Sequence, residues 1–81
     1  MNFAELHERL VDHLKERVRS GELTERGLAR VTRISQPHIH NVLKGKRVLS
    51  VGTADEILLQ LKLDLLDLMR PDDLLHWRRR R

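Results

Sequence analysis

The chain has 81 residues, a net charge of +4, one Phe, one Trp, no Tyr and no Cys. This length fits one small domain, and the absence of cysteine excludes disulfides and thiolate metal sites. A core of Leu, Val and Ile favours packed helices over sheets. Apolar stretches fall short of the roughly 18 residues of a membrane span, and charges begin at Glu5. We therefore expect no secretory signal and a cytoplasmic location.

The first part of the chain has the pattern of an amphipathic helix. Asn2, followed three residues later by Glu5, resembles a capping box. Gly21 is a typical C-terminal stop. The apolar residues recur at steps of three and four: Phe3, Leu6, Leu10, Leu14 and Val18. This pattern predicts a first helix over about residues 3–20.

A second, short helix is predicted next. Thr24 is its expected N-cap, and the helix should end near Thr32 because another cap follows. Leu28 and Ala29 are expected to face inward. The residues expected to face outward are Arg26 and Arg30.

A third helix is predicted from Ser35, its expected N-cap, to about Lys44. Pro37 falls in its first turn, where a missing N–H costs nothing. Gly45 is expected to close the helix. The proline therefore marks the beginning of a helix rather than a break in one.

The remaining sequence predicts two more helices and a short extension. Ser50 is the expected cap of a fourth helix, and Asp64 with Asp67 predicts a fifth over Leu65–Met69. Apolar residues of the fourth helix are Ala54, Ile57, Leu58 and Leu61. Pro71 begins a last segment, in which Asp72 or Asp73 starts a turn through Trp77. We expect an all-α, compact bundle of about five helices over residues 1–70, followed by an extension over 71–81 with a basic tail.

Positive charge is concentrated in one window of the chain and in the four arginines at its end. Residues 26–47 contain six of the sixteen Lys and Arg residues and none of the twelve Asp and Glu residues. The window therefore carries +6, while the other ten basic and twelve acidic residues give −2. A basic segment at a defined place indicates a polyanionic partner.

The third helix separates apolar from polar residues on a helical wheel. Ile39, Val42 and Leu43 fall on one side, with His38 at its edge. The other side carries Gln36, Pro37, His40, Asn41 and Lys44. Asn and Gln can pair bidentately with adenine, and Lys reaches guanine or phosphate. Alone, this pattern also fits an amphipathic helix whose polar side is simply hydrated.

Residues 24–45, TERGLARVTRISQPHIHNVLKG, resemble the helix-turn-helix of the phage repressor and Cro family, also called the XRE family. The family pattern has a small residue, a turn, then an apolar residue, Ser, Gln, and Ile with Val three residues on. The residues that match are Ala29, Ile34, Ser35, Gln36, Ile39 and Val42. The following GKR, then Ser50 and the segment LKLDLLDLM, also agree with the family. The resemblance covers about residues 6–69.

This resemblance implies a lambda-repressor-like domain that binds operator DNA with its third helix, the helix over about 36–44. The residues expected to contact bases are Gln36, Pro37, His40, Asn41 and Lys44. The residues expected to contact phosphate are Arg26, Arg30, Arg33, Ser35, Lys46 and Arg47.

Two residues depart from the family pattern. Glu25 holds a position where the family often has a Gln that touches phosphate, a contact that an acid cannot make. Arg33 stands where the family commonly has Gly in a left-handed turn. Either Arg33 adopts that conformation at a cost on the order of 1 kcal/mol, or the turn differs. Exposed there, it either touches phosphate or is simply hydrated.

Other functional sites have weaker support. His38 and His40 are two residues apart and diverge on a helix, so they do not form a metal site. No nucleophile–base arrangement is present, and we expect neither an enzyme nor a cofactor nor a small-molecule effector. RNA is a less favoured ligand because aromatic residues for base stacking are absent near the basic window.

The leucine-rich stretch ILLQLKLDLLDLM and the tail RRRR leave alternatives open. The leucines either all complete the core or partly remain exposed for a homodimer, which would read a palindromic operator. The tail either contacts phosphate or is an exposed end.

We expect a small transcriptional regulator that binds double-stranded DNA, a repressor since no activation domain is visible. The alternative is a helical protein-interaction module, such as an antitoxin-like partner or a dimerisation adaptor.

Overall fold

The computed structural model describes residues 2–69 and 71–72, and no strand occurs in that part of the chain. Its helices are α1 (Phe3–Ser20), α2 (Glu25–Thr32), α3 (Gln36–Leu43), α4 (Val51–Gln60) and α5 (Leu65–Leu68). The predicted all-α bundle of about five helices is confirmed. The expected turn through Trp77 and the basic tail lie outside the described residues.

α1 begins and ends at the predicted residues. The side chain of Asn2 accepts a hydrogen bond from the N–H of Glu5 at 2.9 Å. Gly21 has a φ of 89°, in the left-handed region, and its N–H donates to the carbonyl of Val18. Glycine adopts this conformation without a Cβ clash, so the chain can turn sharply towards α2.

α2 and α3 begin at the predicted caps. The Thr24 hydroxyl oxygen accepts from the N–H of Gly27 at 2.9 Å, and that of Ser35 accepts from the N–H of His38 at 3.3 Å. Pro37 lies in the first turn of α3, as predicted. Residues 33–35 connect the two helices.

α3 ends at Leu43, one residue before the predicted end. Lys44 is its C-cap, with φ −82° and ψ −3°, and Gly45 follows with a φ of 79°. The left-handed glycine reverses the chain, so the backbone leaves the helix at Lys44.

α4 and α5 are also capped as predicted. The Ser50 hydroxyl oxygen accepts from the N–H of Thr53 at 3.1 Å. Asp64 and Asp67 form a reciprocal capping box, with N–H to carboxylate distances of 2.8 and 3.1 Å. α5 ends at Leu68 rather than at Met69, because Met69 is extended, with a ψ of 142°.

The core is built from aliphatic residues of all five helices and of the loop before α4. Its buried members are Leu10, Leu14, Leu28, Ile39, Val42, Leu43, Leu49, Ala54, Ile57 and Leu68. α3 packs against α1 and α2, while α2 also packs against α4. Burying one large aliphatic side chain contributes about 1.5–3 kcal/mol. The inner side of α3 is therefore firmly held, which fixes the direction of its outer side.

Candidate nucleic-acid interface

The outer side of α3 carries the residues predicted to contact bases. Ile39, Val42 and Leu43 are between 2% and 8% exposed and anchor the helix. The exposed residues on the other side are Gln36, Pro37, His40 and Lys44, and Asn41 is half-buried beside them. The structure thus brings four of the five predicted base-contact residues onto α3 and places the fifth, Lys44, at its C-cap. Asn41 is the most buried of the five.

The residues predicted to contact phosphate surround α3. Arg26 and Arg30 are exposed on α2, and Arg33 is exposed in the turn. Lys46 and Arg47 are exposed in the loop after α3. Each of these comes from a segment directly adjoining the helix. The five cations therefore flank α3 along the chain on both sides.

The cations of this basic window differ from those at the end of α1 in their ion pairing. No ion pair there involves any of the cations named above or Lys44. On α1, by contrast, Arg17 pairs with Glu22 at 3.1 Å and Arg19 pairs with Glu16 at 2.7 Å. The hydrogen bond and the negative charge of Glu16 raise the pKa of Arg19. An uncompensated positive surface attracts polyanions most strongly at low salt.

Ser35 has two possible roles at the start of α3. Its hydroxyl oxygen accepts the hydrogen bond of the N-cap, which leaves the hydroxyl proton free to donate. Helix N-termini also carry partial positive charge. A phosphate near this end would therefore meet both a hydroxyl donor and a favourable helix dipole.

Of the two alternatives left open for Arg33, the structure has the left-handed backbone, with φ 61° and ψ 21°. The preceding residue, Thr32, is buried, and its hydroxyl donates to the carbonyl of Leu28 at 2.7 Å. The turn is thus held by a satisfied buried hydroxyl. The arginine conformation is strained relative to glycine.

The loop after α3 is tied to two helices. The N–H groups of Lys46 and Arg47 donate to the carbonyl of Asn41 at 2.8 and 3.3 Å. The N–H of Leu49 donates to Nε2 of His7 on α1 at 2.9 Å. The backbone of Lys46 and Arg47 is therefore fixed relative to α3. Sequence reasoning missed His7, because its partner lies 42 residues away.

A contact between α2 and α3 was also missed. Nδ1 of His40 lies 3.2 Å from both carboxylate oxygens of Glu25. The two residues are 15 positions apart, and their approach depends on how the helices cross. Only the unusual acid at the start of α2 signalled that this position differs from the resembled family.

His38 lies apart from this pair at the edge of the core. It is half-buried, and its Nε2 has no hydrogen-bond partner in the described part of the chain. In the same residues, no group of three or more potential ligands among His, Cys, Asp and Glu is arranged to hold a metal ion.

Some leucines of the α4–α5 region remain exposed. Leu59 is 73% exposed and Leu66 is 66% exposed, and Val51 at the start of α4 is 56% exposed. Leu58 and Leu61 are partly buried against the core. Of the two alternatives for this stretch, the structure favours incomplete burial.

Comparisons with known proteins do not assign the chain to a family: no family model, curated protein or solved structure matches it. Within the residues described, no helix combines the length and the hydropathy required to cross a membrane. The geometry and charge of the chain itself must therefore support any functional conclusion.

Proposed function

We propose that this chain is a sequence-specific double-stranded DNA-binding protein of the phage repressor and Cro type, and that α3 reads the major groove. The observation that carries the proposal is the two-sided character of α3. Its inner side is locked into the core by Ile39, Val42 and Leu43. Its outer side presents an amide, an imidazole and an ammonium group next to uncompensated cations.

In this proposal the flanking cations position the protein, and α3 provides sequence readout. Contacts to phosphate fix the register of the protein on DNA but carry no sequence information, whereas contacts to base edges distinguish one sequence from another. Gln36 and Asn41 are suited to adenine, and Lys44 is suited to guanine or phosphate. Arg26, Arg30, Arg33, Ser35, Lys46 and Arg47 hold the backbone. The protein acts as a small repressor in the cytoplasm, without catalysis or cofactor.

The proposal includes a homodimer on a palindromic operator. The exposed side chains of Leu59 and Leu66 supply apolar area for contact between two copies. A two-fold pair places its two reading helices about one turn of DNA apart. The same exposed leucines favour the second candidate function, a module that binds another protein through α4 and α5 and does not read DNA.

Alanine substitutions on α3 discriminate the two functions. After selection of a binding site from a random duplex library, we expect Gln36→Ala and Asn41→Ala each to weaken binding by about 1–3 kcal/mol per lost bidentate contact. Fluorescence anisotropy gives the affinities, and thermal melting checks folding.

Gln60→Ala provides the matched control, because Gln60 is exposed on α4 and its amide donates to Glu56. We expect its DNA affinity to equal that of the unmodified chain. Unchanged affinity in both α3 variants would instead favour the protein-interaction module.

A further inference from the structure

The contact between Glu25 and His40 restricts the chemistry of a side chain on the proposed reading surface. Glu25 is the first residue of α2, and His40 lies in the middle of α3. Nδ1 of the imidazole is 3.2 Å from both oxygens of the carboxylate. The His40 side chain is 49% exposed and that of Glu25 is 28% exposed. The contact thus leaves about half of the imidazole side chain accessible.

The partner determines which nitrogen of neutral His40 carries the proton. An ionised carboxylate only accepts hydrogen bonds, so the nitrogen facing it must be the donor. Neutral imidazole has one N–H and one lone-pair nitrogen. With the proton on Nδ1, Nε2 is left as a hydrogen-bond acceptor. Such pairing of a second group with one nitrogen is a general way to set a histidine tautomer.

We propose that Glu25 is a positioning residue that fixes this tautomer, so that neutral His40 selects cytosine or adenine, the bases whose exocyclic amino groups face the major groove. The inference rests on the proposed function, in which α3 lies in the major groove. There, cytosine N4 and adenine N6 are donors, whereas guanine N7 and O6 and thymine O4 are acceptors. The lone pair on Nε2 attracts the donors and repels the acceptors.

Protonation of His40 reverses this preference. The imidazolium donates from both nitrogens, and Nε2 then favours guanine or phosphate while Nδ1 keeps its contact with Glu25. Other charged groups share a surface groove with Glu25: Asp12, Lys15, Glu16 and Arg19 of α1, and Lys44 at the C-cap of α3. All of these remain in place in Glu25→Gln, so its difference from the unmodified protein reports on the loss of the Glu25 carboxylate.

The tautomer is tested first in the free protein. Two-bond ¹H–¹⁵N correlation spectra distinguish protonated from unprotonated imidazole nitrogens, and assignment separates His40 from the other four histidines of the chain: His7, His13, His38 and His76. At pH 8 we expect His40 to be protonated on Nδ1. In Glu25→Gln the amide can donate or accept, so both tautomers should be populated. A dominant Nε2–H form in the unmodified protein would overturn the proposal, whatever its DNA affinity.

Base preference is tested next, on the selected duplex and its single-base variants. For the base pair that responds to His40→Ala, we expect cytosine or adenine to be bound about fivefold more tightly than guanine or thymine at pH 8, the effect of one hydrogen bond. In Glu25→Gln we expect a ratio near one at pH 8.

Glu22→Gln is the matched control, because it removes the same charge from an exposed carboxylate that pairs with Arg17 instead. It should keep the base preference of the unmodified protein, and melting curves verify that both variants fold. The role of Glu25 would be overturned if Glu25→Gln had the same base preference as the unmodified protein. It would also be overturned if His40→Ala changed the base preference at no base pair. If selection from the random duplex library gave no consensus, the proposed function itself would be overturned. The NMR spectra of the free protein would still show which nitrogen of His40 is protonated, so the two failures can be distinguished.

Discussion

Arg33 has a backbone conformation that costs stability, and we propose that it contacts phosphate. It is exposed and has a φ of 61° at the C-cap of α2. For a residue with a Cβ this left-handed conformation costs about 1–2 kcal/mol, whereas glycine adopts it freely. Arginine therefore destabilises this turn relative to glycine. A contact between its guanidinium and phosphate would offset that cost, and the turn leads into the proposed reading helix.

Arg33→Gly should therefore separate stability from DNA binding. We expect the free energy of unfolding to rise by up to about 1 kcal/mol, since relief of the strained conformation outweighs the added flexibility of the unfolded chain. DNA affinity should fall at all sequences alike, and the slope of log affinity against log salt should decrease by about one. Chemical denaturation and anisotropy titrations measure the two effects.

Lys62 offers the matched control for this substitution. It is another exposed cation with a positive φ, 54°, in the turn between α4 and α5. Lys62→Gly should raise stability similarly without changing the salt dependence of DNA binding. Equal losses of affinity in both glycine variants would contradict a phosphate contact by Arg33.

Among the elements, α1 supports the loop that follows the proposed reading helix. Nε2 of His7 accepts the N–H of Leu49 at 2.9 Å, and Leu49 is only 2% exposed. The same loop carries Lys46 and Arg47. One hydrogen bond from α1 thus helps to hold two proposed phosphate contacts in register with α3.

His7→Ala should lower the free energy of unfolding by about 1–3 kcal/mol, because it leaves a buried N–H without an acceptor. Urea denaturation measures the loss. His13→Ala is the control, since His13 is also half-buried on α1 but its Nε2 has no partner in the described residues. A loss in His13→Ala as large as that in His7→Ala would assign the effect to packing rather than to the hydrogen bond.

Whether a contact could be predicted from the sequence depends on how far apart its two residues lie along the chain. The helix beginnings were correct because Asn2, Thr24, Ser35, Ser50 and Asp64 each cap an N–H three residues away. Such contacts are written into the local sequence. The contacts Glu25–His40 and His7–Leu49 span 15 and 42 residues. They depend on helix crossing and loop path, which no local pattern encodes.

For the whole molecule, ion pairing differs between the basic window and the end of α1. The six cations of the basic window are exposed and unpaired among the described residues, while Arg17 and Arg19 are paired on α1. The alternation of apolar residues predicted which side of α3 enters the core. The sequence left the exposure of Leu59 and Leu66 open, because an amphipathic pattern does not indicate how many leucine side chains the core can bury.

Sequence-specific DNA binding is tested most directly by comparing the duplex selected from a random library with a scrambled duplex of the same length, over a range of salt concentrations. We expect a palindromic consensus, bound about a thousandfold or more tightly than the scrambled duplex, with affinities that fall linearly on logarithmic axes as salt rises. Equal affinity for the two duplexes, or selection without a consensus, would contradict the reading of DNA by α3.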